Sequence, residues 1–378
     1  MKFQEFVFKT TSICNLDCSY CYVFNQGDTS FKKDPPIISL DLVKISLQKI
    51  NDYCISKEID NIVIIFHGGE PLLAGKDFYT EFINLANTLL PHIEKYYNLQ
   101  TNGTLLDKIW IEFLKNLNIH FGISLDGTEK ATRNRIYRNN RLPAYNEIIR
   151  GIELVERPGI LTVINIEEAP EILYAHYKSL KIASLDLLIP ESTYEKRDIA
   201  IGKVGKWLSE MFEIWYKDND KNKPRIRIFD IISSLFLGLD RGNEGLGRKF
   251  NRIVAIKTDG AIEVIDSLKI CGDGFVKTGL NIVNNKFEDV AEHPLMKTFY
   301  YSHQDEVLCD KCQLCIAKEV CGGFHLATRY STSNGFANPS VYCDDLIELF
   351  ICIQNKIFTD LKDLKNIEVE LLTIEDFA

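Results

Sequence analysis

The chain has 378 residues, of which 46% are hydrophobic and 26% charged, and a formal net charge of −9. That balance fits a folded chain long enough for two or more cores and excludes disordered, collagen-like and low-complexity classes. A net acidic chain also suits nucleic acid poorly, because phosphates call for a basic face. No stretch of about 18 apolar residues and no signal-peptide pattern is present, so we expect a cytoplasmic protein with neither a membrane nor a nucleic-acid partner. The 11 cysteines cannot all pair, and their placement is uneven. Cys14, Cys18 and Cys21 lie together, six more fall between Cys271 and Cys343, and Cys54 and Cys352 stand alone on apolar helical patterns, as core thiols do. Tight clusters in a reducing compartment point to metal ligation rather than disulfides.

In chain order, strand-like runs cover Phe3–Thr10, Ile62–Phe66, Tyr96–Gln100, His120–Leu125, Leu161–Ile166 and Leu185–Ile189. Between them, apolar residues at three and four spacing predict helices over Leu40–Ile55, Asp77–Leu90, Leu106–Leu117 and Ala144–Val155. Repeated strand, helix, strand means parallel strands joined by right-handed crossovers. Six units fall short of a closed eight-fold barrel, so the expected fold is α/β, with an open, partial (β/α)6 barrel over residues 1–230. Helical patterns continue over Lys203–Tyr216, where Trp207, Phe212 and Trp215 read as packing, and over Arg227–Leu237. A bridging region, 231–252, contains the glycine-rich Gly238–Gly247. Short strands with a Thr258-Asp259-Gly260 turn follow, then the cysteine-rich stretch. Residues 253–345 are expected to form a small α+β domain stabilised by metal, and residues 346–378 a helical tail.

The strongest motif is Cys14-Asn-Leu-Asp-Cys18-Ser-Tyr-Cys21, just past the first strand. Three thiolates at CxxxCxxC spacing bind three irons of a cubane cluster and leave the fourth iron without a protein ligand. An open coordination position is what a reactive metal requires; the plainer reading is a zinc site lacking its fourth ligand. His67-Gly68-Gly69-Glu70-Pro71 ends the second strand. Its two glycines permit close backbone approach, and its carboxylate suits an ammonium group. Gln100-Thr101-Asn102-Gly103 and Ser124-Leu125-Asp126-Gly127 end the third and fourth strands, where Asn-Gly and Asp-Gly also serve as ordinary turns. Arg133, Arg135, Arg138 and Arg141 form a basic run that, Arg135 apart, reads as a solvated loop.

Together these motifs resemble the radical S-adenosylmethionine (SAM) enzymes. The resemblance implies a 4Fe-4S cluster on Cys14, Cys18 and Cys21, whose open iron chelates SAM and cleaves it to a 5′-deoxyadenosyl radical. It implies that Gly68, Gly69 and Glu70 hold the methionine amino group, that Ser124 contacts ribose or carboxylate, and that Arg135 pairs with the methionine carboxylate. Tyr20 takes the aromatic position whose backbone meets adenine. The chain departs from the family at Thr132-Arg133, where a His-Asp pair is usual.

The second cysteine group resembles the SPASM extension of peptide-modifying members, which binds auxiliary 4Fe-4S clusters. Cys312, Cys315, Cys321 and Cys343 match one fully ligated cluster, while His325 stands where the pattern has a further cysteine. Cys271 and Cys309 would begin a second cluster, but six cysteines cannot fully ligate two cubanes; His325 is a candidate non-cysteine ligand. The rival reading of this group is a zinc knuckle.

Longer strings carry a closer resemblance. Pro158-Gly-Ile-Leu-Thr-Val-Ile-Asn165, Leu187-Leu-Ile-Pro-Glu-Ser-Thr193, Thr258-Asp-Gly-Ala-Ile-Glu263 with Asp266-Ser-Leu-Lys269, Cys321-Gly-Gly-Phe, Arg329-Tyr-Ser331 and Asn334-Gly-Phe-Ala-Asn-Pro-Ser-Val-Tyr-Cys343 are similar to the maturases that build three-residue cyclophanes in ribosomally made peptides. Thr328 stands where some subfamilies carry His. The resemblance implies abstraction of a side-chain Cβ hydrogen from a precursor peptide and addition of the carbon radical to an aromatic ring. Rearomatisation then releases an electron and a proton, with Asp266 the candidate proton acceptor. An electron donor such as flavodoxin or ferredoxin is implied, and a separate leader-binding chain, since no leader-binding domain is expected before Phe3. Other readings are a different SPASM activity, such as thioether formation or sulfatase-type Ser/Cys oxidation, and a metal-binding module without catalysis.

Overall fold

The computed structural model of the chain describes residues 1–197, 199–365 and 368–377. Ten strands run in chain order: β1 (Glu5–Thr11), β2 (Asn61–Gly68), β3 (Glu94–Thr101), β4 (Ile119–Ser124), β5 (Gly159–Val163), β6 (Ser184–Leu188), β7 (Arg225–Ile226), β8 (Ile253–Ile256), β9 (Ala261–Glu263) and β10 (Lys277–Asn281). The six strands expected from apolar runs are the first six of these, with ends shifted by one to three residues. Alternation decides which face each strand buries: in β2, Ile62, Ile64 and Phe66 are fully buried while their neighbours are not. Some helices start where a side chain satisfies an orphan N–H. Ser39 caps helix Leu40–Lys57 by accepting from Leu42 N, and Asp107 caps Lys108–Asn116 by accepting from Trp110 N.

The chain folds as two compact units, each built from several segments. The first comprises residues 1–125, 132–159 and 252–300. In it β8, β1, β2, β3 and β4 lie side by side, all parallel. β9 folds back on β8 as an antiparallel hairpin, with Gly260 at φ +80° in the turn, and β10 pairs with β9. Registration sets Lys9 beside His67 and Phe8 beside Phe66. Phe8 and Phe66 each meet Phe82 of helix Lys76–Leu89 edge to face, with centroids 4.9 Å apart.

The second unit comprises residues 126–131, 160–251 and 301–378. Within it β5, β6 and β7 adjoin in that order, and helices Lys203–Lys217 and Arg227–Phe236 pack on the long helix Cys343–Lys365. Gly205 makes this approach feasible, because a Cβ there would sit 2.5 Å from Asp345 O. Its N–H instead donates to the buried Asp345 carboxylate at 2.8 Å. Trp207 is buried and donates from Nε1 to Glu168 O, and Trp215 donates to Pro224 O, so both pack.

The contact pattern divides the expected 253–345 segment at Tyr300. Its β8–β10 part belongs to the first unit, where β8 extends the sheet beside β1, and its cysteine-rich part belongs to the second. The tail helix starts at Cys343, three residues before the expected Leu346; residues 366, 367 and 378 of that tail lie outside the described residues. Cys54 is fully buried, and Cys352 is half-buried with its sulfur 3.9 Å from Ser209 O. Among the described residues no helix is long and apolar enough to cross a membrane.

Candidate functional site

The cysteine loop begins where β1 ends and is stapled to the ends of β2 and β3. Gly69 N donates to Thr11 O at 3.0 Å, Glu70 N to Ile13 O at 2.9 Å, and the Thr11 hydroxyl to Glu70 O at 3.1 Å. These bonds require the two glycines. A Cβ on Gly68 would sit 2.1 Å from Thr11 O, and one on Gly69 would sit 2.0 Å from Ile13 O and 2.9 Å from Cys14 N. From β3, Asn102 Nδ2 lies 3.8 Å from the Cys14 sulfur and donates to Asn15 Oδ1 at 2.8 Å, while Asn15 Nδ2 donates to the Thr104 hydroxyl. Leu16 N points at the Cys14 sulfur, 3.4 Å away.

Glu70 is almost fully buried, and its carboxylate accepts from Leu72 N, the Thr101 hydroxyl and Asn102 N at 3.0, 2.8 and 2.7 Å. A carboxylate offers about four acceptor positions, so the chain itself takes most of this one. Burial pushes the carboxyl up to about 7, with the Asn102 and Leu72 N–H groups opposing. Glu70 thus ties β2, β3 and the cysteine loop into one body, a role that a motif alone does not display.

On the other side, Cys21 N donates to Cys18 O, and Asn25 bonds to Cys21 O, Cys18 O and Asp17. Arg138 and Arg141 both pair with Asp17. The Asn25 hydrogen bond, then Arg141, holds the Asp17 carboxyl below the usual range. Arg138 also stacks over Phe24, and its backbone N–H donates to Asn15 O. Arg138 and Arg141 are exposed, as a solvated run would be, and their pairing with Asp17 also clamps the cysteine loop. Arg135, by contrast buried, lies over the Tyr20 ring at 5.7 Å, so two expected SAM-contacting residues meet. Ser124 accepts from Gln100 Nε2 at 2.9 Å, joining the ends of β3 and β4.

The thiols of Cys14, Cys18 and Cys21, none of them in a disulfide, share this loop. Burial pushes Cys14 up to about 12 and raises Cys21, so binding a cationic centre here would displace protons. Donor chemistry and the stapled backbone both fit an iron-sulfur cluster with three protein ligands.

Asp266 sits in the short turn Asp266–Cys271 that follows β9, buried within the first unit. It pairs with Lys9 of β1 and with Lys269 at 3.4 Å. Lys9 Nζ reaches His67 Nδ1 at 3.1 Å. Burial is the main force lowering the Lys9 ammonium, and it holds His67 well below its ordinary value. Around them Lys257 pairs with Asp34 and Glu263, and Lys269 with Asp28 and Glu263. This charged network surrounding Asp266 has no counterpart in the sequence motifs.

Cys271 closes that turn in the first unit, whereas Cys309, Cys312, Cys315, Cys321 and Cys343 belong to the second. Burial raises the Cys312 thiol, reinforced by Cys309, Cys321 and Cys343; burial likewise pushes Cys321 up to about 12, reinforced by Cys343 and Cys315. Cys309 therefore stands with the four expected cluster ligands. His325 Nδ1 lies 3.9 Å from Glu191 Oε1, and burial lowers the imidazole to about 4. Among the described residues, no three His, Cys, Asp or Glu side chains converge as a single metal ion requires. Three of these thiols, Cys312, Cys321 and Cys309, lie near enough to act on the buried Arg329, whose Nε and Nη1 find no acceptor in the protein. That surplus of positive donors fits an anionic, thiolate-bound cluster.

The class follows from this arrangement. Residues 8–166 match the family model for the radical SAM superfamily, and the chain carries a radical SAM domain. Over 360 residues it is 26% identical to the cysteine-type anaerobic sulfatase-maturating enzyme of Clostridium novyi (strain NT), covering 90% of this chain and 92% of that one. In fold it is similar to native anSMEcpe with bound AdoMet, with a TM-score of 0.80, 22% identity, and coverage of 96% and 100% of the two chains. It is similar also to Streptococcus suis SuiB bound to precursor peptide SuiA, at a TM-score of 0.59 and 15% identity over 90% and 76% of the two chains. The shared fold is α/β with a mostly parallel sheet, of the partial-barrel kind expected from the strand count.

Proposed function

We propose that the chain is a peptide-modifying radical SAM enzyme that joins a side-chain carbon of a precursor peptide to an aromatic ring. The observation that carries the reading is the cysteine loop, whose backbone is bonded to the end of β2 and whose Asn15 side chain is bonded to Asn102 at the end of β3. A reactive centre needs such preorganisation. Bound there, a 4Fe-4S cluster with SAM supplies the radical that removes a hydrogen atom from an unactivated carbon.

The chain's own residues do the rest. Gly68, Gly69 and Glu70 present their backbone beside the thiols, while the Arg135–Tyr20 pair and Ser124 offer a cation, a ring and a hydroxyl to SAM. When the carbon radical joins the ring, one carbon–carbon bond forms and the ring must lose one proton and one electron. Asp266, flanked by Lys9 and Lys269, takes the proton. Cys312, Cys315, Cys321 and Cys343 of the second unit would hold an auxiliary cluster, with Cys309 beside them and Cys271 left for a further site; the chemistry such a cluster would supply is to accept the electron. SuiB, whose structure holds a precursor peptide, supports a peptide substrate. Flavodoxin or ferredoxin fits as electron donor, and a separate chain as leader binder.

A second reading, oxidation of a cysteine in a sulfatase, is favoured by the Clostridium novyi relative. One experiment separates the two. Anaerobically reconstituted protein, reduced with SAM, is incubated with the peptide encoded beside its gene and with a sulfatase peptide. The first reading requires 5′-deoxyadenosine and a peptide lighter by about two hydrogens per crosslink; loss of sulfur from the sulfatase peptide supports the second. Absence of 5′-deoxyadenosine from iron-loaded protein removes both.

A further inference from the structure

Arg329 is the largest fully buried side chain in the protein, at 0% exposure. Its Nη2 donates to Ser302 O at 2.8 Å, and that is its one acceptor, since Nε and Nη1 have none. A buried guanidinium without a carboxylate is costly, because burial strips its hydration and nothing offsets the charge. The groups whose charge it senses are thiols: Cys312 first, then Cys321 and Cys309. His303 and His325 also feel Arg329, and burial, their largest influence, lowers both to about 4, so neither competes as a cation.

The backbone is shaped around this side chain. Gly322 and Gly323, directly after Cys321, have φ of +58° and +84°, which favours glycine. A Cβ on Gly323 would sit 2.5 Å from Leu308 Cδ2 and 3.0 Å from Arg329 Nη1, and one on Gly322 would sit 1.9 Å from Gly247 O. The Cys-Gly-Gly string thus lets the chain turn away from Cys321 while leaving room for a guanidinium.

We infer that Arg329 is a positioning residue for the auxiliary cluster, giving its anionic thiolate-bound core a buried counter-charge and two N–H donors for its sulfurs. The inference rests on the reading that the second unit's thiols hold an iron-sulfur cluster. Its consequence is electronic. Net charge, hydrogen bonds to sulfur and solvent exposure set the reduction potential of such clusters. A buried cation stabilises the reduced form, which carries one more negative charge, and so raises the potential. The cluster then becomes the stronger acceptor for the electron leaving the crosslinked ring.

The test uses the full chain with Cys14→Ala, Cys18→Ala and Cys21→Ala, so that only auxiliary iron remains. Arg329→Gln and Arg329→Lys are added to it, and iron content and the midpoint of an electron paramagnetic resonance redox titration are measured. We expect the midpoint to fall in Arg329→Gln and to fall less in Arg329→Lys, which keeps the charge but not the two-donor fork. A wild-type midpoint in either iron-loaded variant overturns the inference. Should both variants lose iron, the chain with native Arg329 decides. Labelled with guanidino-15N arginine and reduced, it should show a 15N coupling to the cluster, and iron-loaded protein without that coupling overturns the role. If the triple-cysteine chain with native Arg329 holds no iron, the auxiliary cluster of the proposed function fails instead, a distinct result.

Discussion

Lys9 and Asp266 form a buried ion pair that links β1 to the turn following β9. With Ser12, Gly68 and Thr258 they line an open pocket in the first unit. The pairing places the proposed proton acceptor beside the strand that leads directly into the cysteine loop. Position and charge of Asp266 are therefore set by the same element that sets Cys14.

Removing one partner from a buried pair leaves the other uncompensated, at a cost of about 3–5 kcal/mol. Lys269, 3.4 Å from the second Asp266 oxygen, retains part of the balance, so we expect Lys9→Met to lose about 3 kcal/mol in denaturant unfolding. Lys9→Arg, which keeps the charge, should lose less. In the assay, Lys9→Met should still form 5′-deoxyadenosine but yield less crosslinked peptide per equivalent. An unchanged ratio of the two products would show that Lys9 does not position the acceptor.

Gly69→Ala tests the staple between β2 and the cysteine loop. The added Cβ would fall 2.0 Å from Ile13 O and 2.9 Å from Cys14 N, and both neighbours are backbone, so the loop must move. We expect Gly69→Ala to lose the N-terminal cluster's iron while keeping that of the second unit. Iron counting and absorbance on reconstituted protein read this directly, and retention of full iron would place the ligands elsewhere.

Asp17→Ala separates loop organisation from stability. Its partners Arg138 and Arg141 are partly exposed, and exposed pairs contribute about 0.2–1 kcal/mol. The melting temperature should therefore barely change. Losing Asp17 nevertheless removes its own links to Asn25, Arg138 and Arg141 just before Cys18, so cluster reconstitution should slow several-fold. Equal reconstitution rates for wild type and variant would assign the clamp to the surface alone.

Much of this was legible beforehand, for physical reasons. Each of the first six strands carries its own run of apolar residues, and the motifs of the first four sit at a strand's C-terminal end, so local pattern and position coincide. The Asp17 clamp, by contrast, joins residues 124 positions apart to Arg141, and no periodicity records such a contact. The same holds for Lys9 with Asp266 and for β8 beside β1. The 253–345 segment read as one domain because its short strands run straight into its cysteine-rich stretch, yet its strands adjoin the first unit's sheet, Cys271 stays with them, and its other five cysteines belong to the second unit. Arg329 was visible only as part of an Arg-Tyr string; its significance lies in burial, which sequence does not state.

Glu191 gives the stability curve a predictable slope. It follows β6, and its Oε2 is buried without a partner. Burial, reinforced by Glu244, pushes its carboxyl up to about 8 from the ordinary 4.5. Between those values the folded chain holds a proton that the unfolded chain has released, so stability falls as pH rises through the window. His325 and His303, both lowered to about 4 from 6.5, work the other way: the unfolded chain binds their protons first, and stability rises with pH up to about 6.5. The two trends oppose each other below pH ~6.5, so the Glu191 contribution stands clear of them only from about 6.5 to 8. There Glu191→Gln should remove a decline of up to about 1.4 kcal/mol per pH unit. Urea unfolding of wild type and variant at pH 6.5, 7.2 and 8 measures the difference, and parallel curves would mean that Glu191 is ionised in the folded protein.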